Sequence, residues 1–442
     1  MQPFGGSLFC NKKMMIIKTH FLSLHFPILL LLQIIIATKA DLLTVGSGVG
    51  VEIGIGGGGG IWIGGGGGGS NNVPDSPANI PSASLAPAYT ALQAWKSAIK
   101  EDPFKILASW VGSNVCNYKG VFCAQPEQGY GLTGPDGPIV AGIDLNRANL
   151  QGTLVKELSL LTDLSIFHLN SNRFTGTIPQ SFSYLSSLTE LDLSNNHFSG
   201  QFPISVLYIP NLLYLDLRFN FFYGSIPEDL FNKNLDAIFL NNNQFSGEIP
   251  SNLGNSPASV INLANNKFIG NIPFSLGYIN PKLREILFLN NQLTGCIPQS
   301  IGLWQYLQVF DVSFNSLMGH LPDTISCLSD IEVLNLGHNK LSGEVPDLIC
   351  DLNRLMYLTV AYNFFSGFSQ ECSKLSFRNV GFDVSLNCIH GRGMQRPEPE
   401  CSIIPGGGLN CLRIPVVQPL VCAILFDIQK NSNRIPSSSS SP

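Results

Sequence analysis

Short stretches in which apolar and polar residues alternate recur along the middle of the chain. One of them is Leu191-Asp-Leu-Ser-Asn-Asn196, and another is Ile238-Phe-Leu-Asn-Asn-Asn243. Alternation with a period of two predicts a short β-strand with one face buried. Each stretch continues into a Gly, an apolar residue and usually a Pro, as in Gly247-Glu-Ile-Pro250. The pattern therefore predicts many similar units with one such strand each.

The glycine of this unit returns at nearly constant intervals of 23 to 25 residues. A fixed period in this range marks a stacked array, in which each unit buries its apolar side against the next one. The unit L-x-x-L-x-L-x-x-N-x-F/L-x-G-x-I-P resembles the plant-type leucine-rich repeat. We therefore expect an α/β fold, a leucine-rich repeat solenoid with a curved parallel sheet and about ten repeats over 140–372. The glycines are Gly152, Gly176, Gly200, Gly224, Gly247, Gly270, Gly295, Gly319, Gly343 and Gly367.

An Asn follows the strand in every unit except the first, which has Ala148. Buried there, its amide can bond the backbone groups that the turning chain leaves unpaired. The glycine that follows allows a backbone conformation that a Cβ would penalise. The Ile-Pro pair then favours an extended segment. These Asn residues are Asn172, Asn196, Asn220, Asn243, Asn266, Asn291, Asn315, Asn339 and Asn363.

The flanks of the repeats predict a secreted chain with caps. Residues 1–40 read as a signal peptide, with an apolar core near 26–37 and small residues before a cleavage point after Ala40. No later run is long enough for a membrane span. Residues 41–88 are Gly-rich and then Pro/Ser-rich, and we expect a disordered linker. We expect an N-terminal cap over 89–139 with a helix from Tyr89 to about Lys105, a cysteine-containing cap over 373–415, and a mostly disordered, divergent tail over 416–442.

A secreted chain permits disulfides, and the chain has 11 cysteines. We expect Cys116 and Cys123 to form a disulfide in the N-terminal cap. On the C-terminal side we expect the pairs Cys350/Cys372 and Cys388/Cys401, although spacing alone does not determine connectivity. A zinc site is the alternative, but no paired C-x-x-C spacing favours it. We expect no metal and no cofactor.

The repeat region is acidic, with 19 Asp and Glu against 10 Lys and Arg from Asp144 to Glu371, a net charge of −9. This charge argues against nucleic acid and for a cationic partner. Histidines lack the spacing of a metal site or a catalytic triad. Asp192 and Asp216 fall on adjacent exposed strands where no pocket is implied, so we expect no enzyme.

The strand positions between the buried residues predict the binding surface. Side chains of adjacent strands stand about 4.8 Å apart and form columns on the concave face. Acidic residues with exposed aromatics beside them are typical of a peptide-binding surface, although the acids could simply keep the face soluble. The predicted partner-binding residues are Glu190, Asp192, Tyr214, Asp216, Arg218, Phe219, Phe239, Asp311 and Phe314.

Residues outside the generic repeat carry a more specific likeness. The cap reads Ala91-Leu-Gln-Ala-Trp95, Trp110-Val-Gly112 and Gly120-Val-Phe-Cys123, and later come Leu235-Asp-Ala-Ile-Phe-Leu240 and Asn387-Cys-Ile389. From about Tyr89 to Cys411 the chain resembles the repeat domain of plant leucine-rich repeat extensin-like proteins. The N-terminal Gly-rich tract resembles their extensin-less subgroup. The Ser-Pro repeats of extensins do not occur in this sequence, which puts covalent wall attachment in doubt.

The resemblance implies a secreted scaffold or receptor-like protein of the apoplast and cell wall. It implies binding of basic, cysteine-rich peptides of the rapid alkalinization factor type, or of a wall-associated protein, a link to wall growth, and association as a homodimer. Two alternatives remain at this point. One is a polygalacturonase-inhibitor-like defence protein, and the other is a structural wall protein whose Gly-rich arm contacts cell-wall polymers.

Overall fold

The computed structural model describes residues 83–126, 137–278, 282–405 and 411. The predicted signal peptide, nearly all of the predicted linker and the tail after 411 lie outside the described residues. In chain order the strands are β1 (Ile99–Glu101), β2 (Val121–Ala124), β3 (Ile139–Asp144), β4 (Gln151–Gly152), β5 (Ile166–His168), β6 (Thr175–Gly176), β7 (Glu190–Asp192), β8 (His197–Gly200), β9 (Tyr214–Asp216), β10 (Phe221–Gly224), β11 (Ala237–Phe239), β12 (Gln244–Glu248), β13 (Val260–Asn262), β14 (Lys267–Gly270), β15 (Glu285–Leu287), β16 (Gln292–Leu293), β17 (Val309–Asp311), β18 (Met318–His320), β19 (Val333–Asn335), β20 (Lys340–Val345), β21 (Tyr357–Thr359), β22 (Phe364–Phe368) and β23 (Gly381–Asp383).

Helices are short apart from the first one. The α-helices are α1 (Ala86–Ala98), α2 (Asp229–Asn232), α3 (Asp347–Cys350), α4 (Gln370–Ser373) and α5 (Glu398–Cys401). The 3-10 helices span Ile106–Ser109, Val115–Asn117, Lys156–Leu160, Gln180–Tyr184, Ile204–Tyr208, Leu253–Asn255, Phe274–Tyr278, Gln299–Leu303, Asp323–Cys327 and Lys374–Arg378.

One long sheet runs through all of the repeats. Its order is β2, β3, and then every odd-numbered strand from β5 to β23. β2 is antiparallel to β3, and the later neighbours are parallel. In each strand of this sheet from β5 to β21 the central residue is buried, as Leu191, Leu215 and Ile238 are, because it points into the stack. The fold is the predicted leucine-rich repeat solenoid, in which each repeat adds one strand to a shared core.

The inward Asn residues bond two coils at once. Asn220 Nδ2 donates to the carbonyls of Leu193 and Leu217, at 3.0 and 3.2 Å, and its Oδ1 accepts the N–H of Phe198 at 3.0 Å. Asn196 makes the corresponding bonds one repeat earlier. Because these backbone groups are buried, each Asn supplies partners that water cannot. The predicted role of the inward Asn is thus confirmed.

Shorter strands form a second ladder on the other side of each turn. β6, β8, β10, β12, β14 and β16 make one sheet, and β18, β20 and β22 make another. Eight of the periodic glycines have φ between 74° and 104°, as the left-handed conformation requires. Gly152 and Gly367 do not share it. Gly152 is needed for a different reason, because a Cβ there would lie 2.6 Å from the Ala98 carbonyl oxygen.

A row of stacked phenylalanines fills the core and is capped by the N-terminal helix. The ring centroids of Phe174, Phe198 and Phe222 are separated by 6.2 and 6.5 Å. Trp95 of α1 stacks on Phe174 at 5.8 Å and is fully buried. The helix ends earlier than predicted, at Ala98 instead of about Lys105. It ends there because Ile99 is extended and begins β1, which pairs with β4.

At the other end the long sheet continues beyond the predicted repeat boundary at 372. β23 pairs with β21, and Asn387 Oδ1 accepts the N–H of Phe365 as the earlier Asn residues do. One further coil therefore belongs to the array before the chain turns into the C-terminal cap.

Four disulfides are seen among the described residues. Three join the cysteines paired in the sequence analysis, Cys116–Cys123, Cys350–Cys372 and Cys388–Cys401. The fourth, Cys296–Cys411, was not anticipated and joins residues 115 positions apart. It attaches the chain after α5 to an inner repeat. In the part of the chain that the structure describes, no helix is long and apolar enough to cross a membrane.

Candidate functional site

The candidate site is the outer face of the long sheet, which we call the open face. Strand register places one outward residue of every repeat in a single column. Asp144, His168, Asp192 and Asp216 are direct neighbours in this column, and Phe239 follows on β11. A second column places Glu190 beside Tyr214. The regular pairing thus brings residues from successive repeats together.

Ionisable side chains gather at the strands β3 to β9. His168 Nε2 lies 3.1 Å from Glu190 Oε2, and both side chains are partly buried. Asp192 Oδ1 accepts the N–H and the hydroxyl of Ser194, at 2.9 and 2.5 Å. We call this group, with its neighbours, the ionisable cluster. It comprises Asp144, His168, Glu190, Asp192, Tyr214, Asp216 and Arg218.

Asp216 is the best enclosed member of this cluster. Arg218 Nε lies 2.9 Å from its Oδ2, and the Tyr214 hydroxyl donates to the same oxygen at 3.3 Å. The Arg218 guanidinium lies 5.0 Å from the centroid of the Phe239 ring, and Tyr214 packs against that ring at 5.7 Å. Tyr214, Arg218 and Phe239 thereby cover the carboxyl, which is fully buried, while about a third of the Arg218 side chain stays exposed.

This environment raises the pKa values of two groups, Asp216 and His168. Burial raises the pKa of Asp216 to about 8, helped by the charge of Asp192 and opposed by Arg218. Burial opposes a charge on His168, but the hydrogen bond that its Nε2 donates to Glu190 and the charges of Asp192, Glu190 and Asp144 outweigh it, so the pKa of His168 lies above its ordinary value. Each group therefore keeps its proton to a higher pH than the same side chain would in water.

Asp311 lies on β17, three strands beyond β11, or about 14 Å away at the usual strand spacing. It is almost fully buried and accepts the Ser313 N–H and hydroxyl, and Asn335 Nδ2, at 2.9, 2.6 and 2.9 Å. Burial raises the pKa of this carboxyl, and the bonds from Ser313 and Asn335 oppose the rise. The Asp311 carboxyl therefore bonds the residue that follows β17 and the neighbouring strand β19.

Stacked aromatic rings follow the strands β17, β19 and β21, close to Asp311 in the sequence of repeats. The ring centroids of Phe314 and His338 are 3.9 Å apart, as are those of His338 and Tyr362. All three residues have φ between 53° and 58°, a region that bulky residues rarely occupy. Phe219 has the same conformation next to the ionisable cluster and is 41% exposed. The stack of Phe314, His338 and Tyr362 and the ring of Phe219 thus lie at two separate places along the column of outward residues.

The nine predicted residues divide between these places. Seven lie together on or just after β7, β9 and β11, namely Glu190, Asp192, Tyr214, Asp216, Arg218, Phe219 and Phe239. Asp311 and Phe314 lie apart from them. The expectation that Asp216 and Asp311 are exposed is wrong, because neighbouring side chains cover the first and hydrogen bonds enclose the second.

His168 is not among the nine predicted residues, and the sequence analysis assigned the histidines no metal-site or triad role. Its place in the column of Asp144 and Asp192 was the signal that could have connected it to Glu190. The described residues contain no group of three or more His, Cys, Asp or Glu side chains arranged to hold a metal ion.

Family models match much of the solenoid. A model described as "Leucine rich repeat N-terminal domain" matches residues 86–124. One described as "Leucine rich repeat" matches 162–222, and a third of the same description matches 234–256, 306–328 and 330–352. Leucine-rich repeat extensin-like protein 7 of Arabidopsis thaliana is 62% identical over 247 residues, 54% of this chain and 56% of that protein. This chain is a relative of the leucine-rich repeat extensin-like proteins.

A second relative matches over more of this chain. Leucine-rich repeat extensin-like protein 2 of Arabidopsis thaliana is 49% identical over 353 residues, which is 74% of this chain and 41% of that protein. The match thus covers about half of the length of each of these two relatives.

A solved structure agrees with the fold. The Arabidopsis receptor kinase HAESA, in complex with the peptide hormone IDA and a co-receptor, is 26% identical with a TM-score of 0.53. The match covers 69% of this chain and 54% of that one. This leucine-rich repeat relative is a protein with a bound peptide.

Proposed function

We propose that this protein is a secreted cell-wall scaffold that binds a basic, cysteine-rich peptide of the rapid alkalinization factor type on its open face. The observation that carries the proposal is the ionisable cluster, where carboxylates lie beside the partly exposed rings of Tyr214 and Phe239 and the exposed ring of Phe219. A cationic peptide finds opposite charge there and apolar surface beside it. The peptide bound to HAESA supports a peptide partner, and the extensin-like relatives support a place in the wall.

Binding fits this surface better than catalysis does. A glycosidase needs two carboxyl groups that reach the substrate from opposite sides. Asp216 is covered by Tyr214, Arg218 and Phe239, so its carboxyl does not reach a polymer lying on the sheet. Asp192 and Glu190 remain as partly exposed anions, which attract a cation without acting on it.

The test is a calorimetric titration of the purified protein with a synthetic rapid alkalinization factor peptide. We expect stoichiometric binding that weakens by about tenfold when the salt concentration rises from 20 to 150 mM, because partly exposed charges are screened over about 10 Å. A peptide of the same length with its Lys and Arg residues changed to Gln is the control and should not bind.

Absence of binding at both salt concentrations would overturn the proposal. A reducing-sugar assay with a polygalacturonase would then separate the alternatives. Slowed pectin hydrolysis indicates an inhibitor, and unchanged hydrolysis leaves a structural wall protein.

A further inference from the structure

The ionisable cluster holds more protons near neutral pH than its composition suggests. His168 on β5 faces Asp144 on β3, and Glu190 and Asp192 on β7. Asp216 on β9 faces Asp192 on β7, the uncharged Phe239 on β11, and Tyr214 and Arg218 of its own strand and the turn that follows.

These protons control the charge that a ligand meets. With His168 and Asp216 both protonated, the cluster has a formal net charge of −1. Loss of both protons brings it to −3. A positive charge placed nearby favours the deprotonated forms of both groups, because it attracts a carboxylate and repels an imidazolium.

Proton release and ligand binding are then linked in both directions. A ligand that favours the deprotonated form must bind more tightly when that form already predominates. The first effect appears as protons set free on binding, and the second as affinity that depends on pH.

We propose that the open face binds the cationic segment of its peptide in exchange for protons released by His168 and Asp216, so that affinity rises with pH. This inference depends on the proposed peptide-binding function and specifies its regulation. Arg218 lies against Asp216 and packs on Phe239, and a carboxylate attracts its guanidinium more strongly than a neutral carboxyl does, so we expect it to stay in place when Asp216 ionises.

The experiment is calorimetry of the full protein with the synthetic rapid alkalinization factor peptide, at pH 7 in buffers of different ionisation enthalpy. The dependence of the observed heat on the buffer counts the protons released. We expect net release in the wild type and less release in His168→Gln and in Asp216→Asn. The peptide's own groups are common to all of these titrations, so the differences between variants report the cluster.

A pH series completes the test. Between pH 5.5 and 8.5 we expect the wild-type dissociation constant to fall by about tenfold, as two added charges at about 7 Å in water predict. The double variant should show a nearly flat profile. His390→Gln, at an exposed histidine beyond the last strand, is the matched control and should behave as the wild type.

The outcomes separate the two claims. Binding with equal proton counts in the wild type and both variants, or with a flat wild-type profile, would overturn the proton exchange and leave peptide binding intact. No binding at any pH would overturn the proposed function and this inference with it. Circular dichroism of each variant establishes that the solenoid is folded, and a histidine NMR titration with and without peptide gives the same answer independently through the pKa of His168.

Discussion

Arg218 and Asp216 lie in direct contact, and only Arg218 reaches the surface. Nε of Arg218 lies 2.9 Å from Oδ2 of Asp216, whose carboxyl is fully buried, while the guanidinium lies over Phe239 and remains partly exposed. A buried carboxyl thus fixes the position of a side chain that is partly exposed on the open face.

The buried carboxyl makes stability depend on pH. The pKa of Asp216 is about 8 in the folded protein against an ordinary value of 3.8, so the folded state binds more protons between these values. The free energy of unfolding should therefore be highest below pH 4 as far as this group is concerned, and should fall as pH rises through 8. We expect a decrease of about 3 kcal/mol from this group between pH 5 and 8.

Denaturant unfolding at several pH values measures this decrease. Asp216→Asn, which imitates the protonated side chain, should remove most of it, whereas Asp351→Asn at an exposed position should not. A variant profile as steep as that of the wild type would show that Asp216 is ionised in the folded protein.

Substitution of one inward Asn should destabilise the array. Asn220→Ala leaves the carbonyls of Leu193 and Leu217 and the N–H of Phe198 buried without their partner. We expect a loss of about 2–4 kcal/mol in the free energy of unfolding, measured with urea. Asn353→Ala, at an exposed position, should change it by less than about 0.5 kcal/mol. Equal effects of the two substitutions would mean that the bonds of the inward Asn residues contribute little to stability.

Two glycines of the same repeat position should respond differently to Ala. At Gly224, with φ of 79°, a Cβ meets nothing closer than 3.7 Å, so only the backbone conformation opposes it. Gly367 has a similar 3.7 Å of space and no positive φ. Gly224→Ala should therefore cost about 1–2 kcal/mol, and Gly367→Ala should be neutral or slightly stabilising. Thermal unfolding of the two variants decides this, and the opposite order would contradict the backbone assignment.

The fold could be predicted from the sequence because its causes are local and repeated. The strand alternation around Leu191, the inward Asn196 and the turn at Gly200 each have a physical reason within one repeat, and the period extends them along the chain. The end of α1 at Ala98 was missed because pairing between β1 and β4 overrides the helical spacing of the sequence. The Cys296–Cys411 bond was missed because the sequence contains no signal for contacts between distant segments.

The candidate site could be predicted only in part. Register places Glu190, Asp192 and Tyr214 together, and that register follows from the repeat. Burial does not follow from it. The sequence shows Asp192 and Asp216 at equivalent positions, yet the large side chains of Tyr214, Arg218 and Phe239 cover only the second one. Equivalent positions become different sites because their neighbours differ.

The central claim is that the open face captures a cationic peptide through the ionisable cluster. Titration of the Asp192→Lys variant with the synthetic rapid alkalinization factor peptide tests it most directly, with Asp351→Lys as a control that makes the same change of charge at an exposed position away from the long sheet. We expect Asp192→Lys to weaken binding by at least a hundredfold, and Asp351→Lys by less than threefold, because only the first charge lies in the cluster. Equal weakening by both variants, or no weakening by Asp192→Lys, would contradict the account.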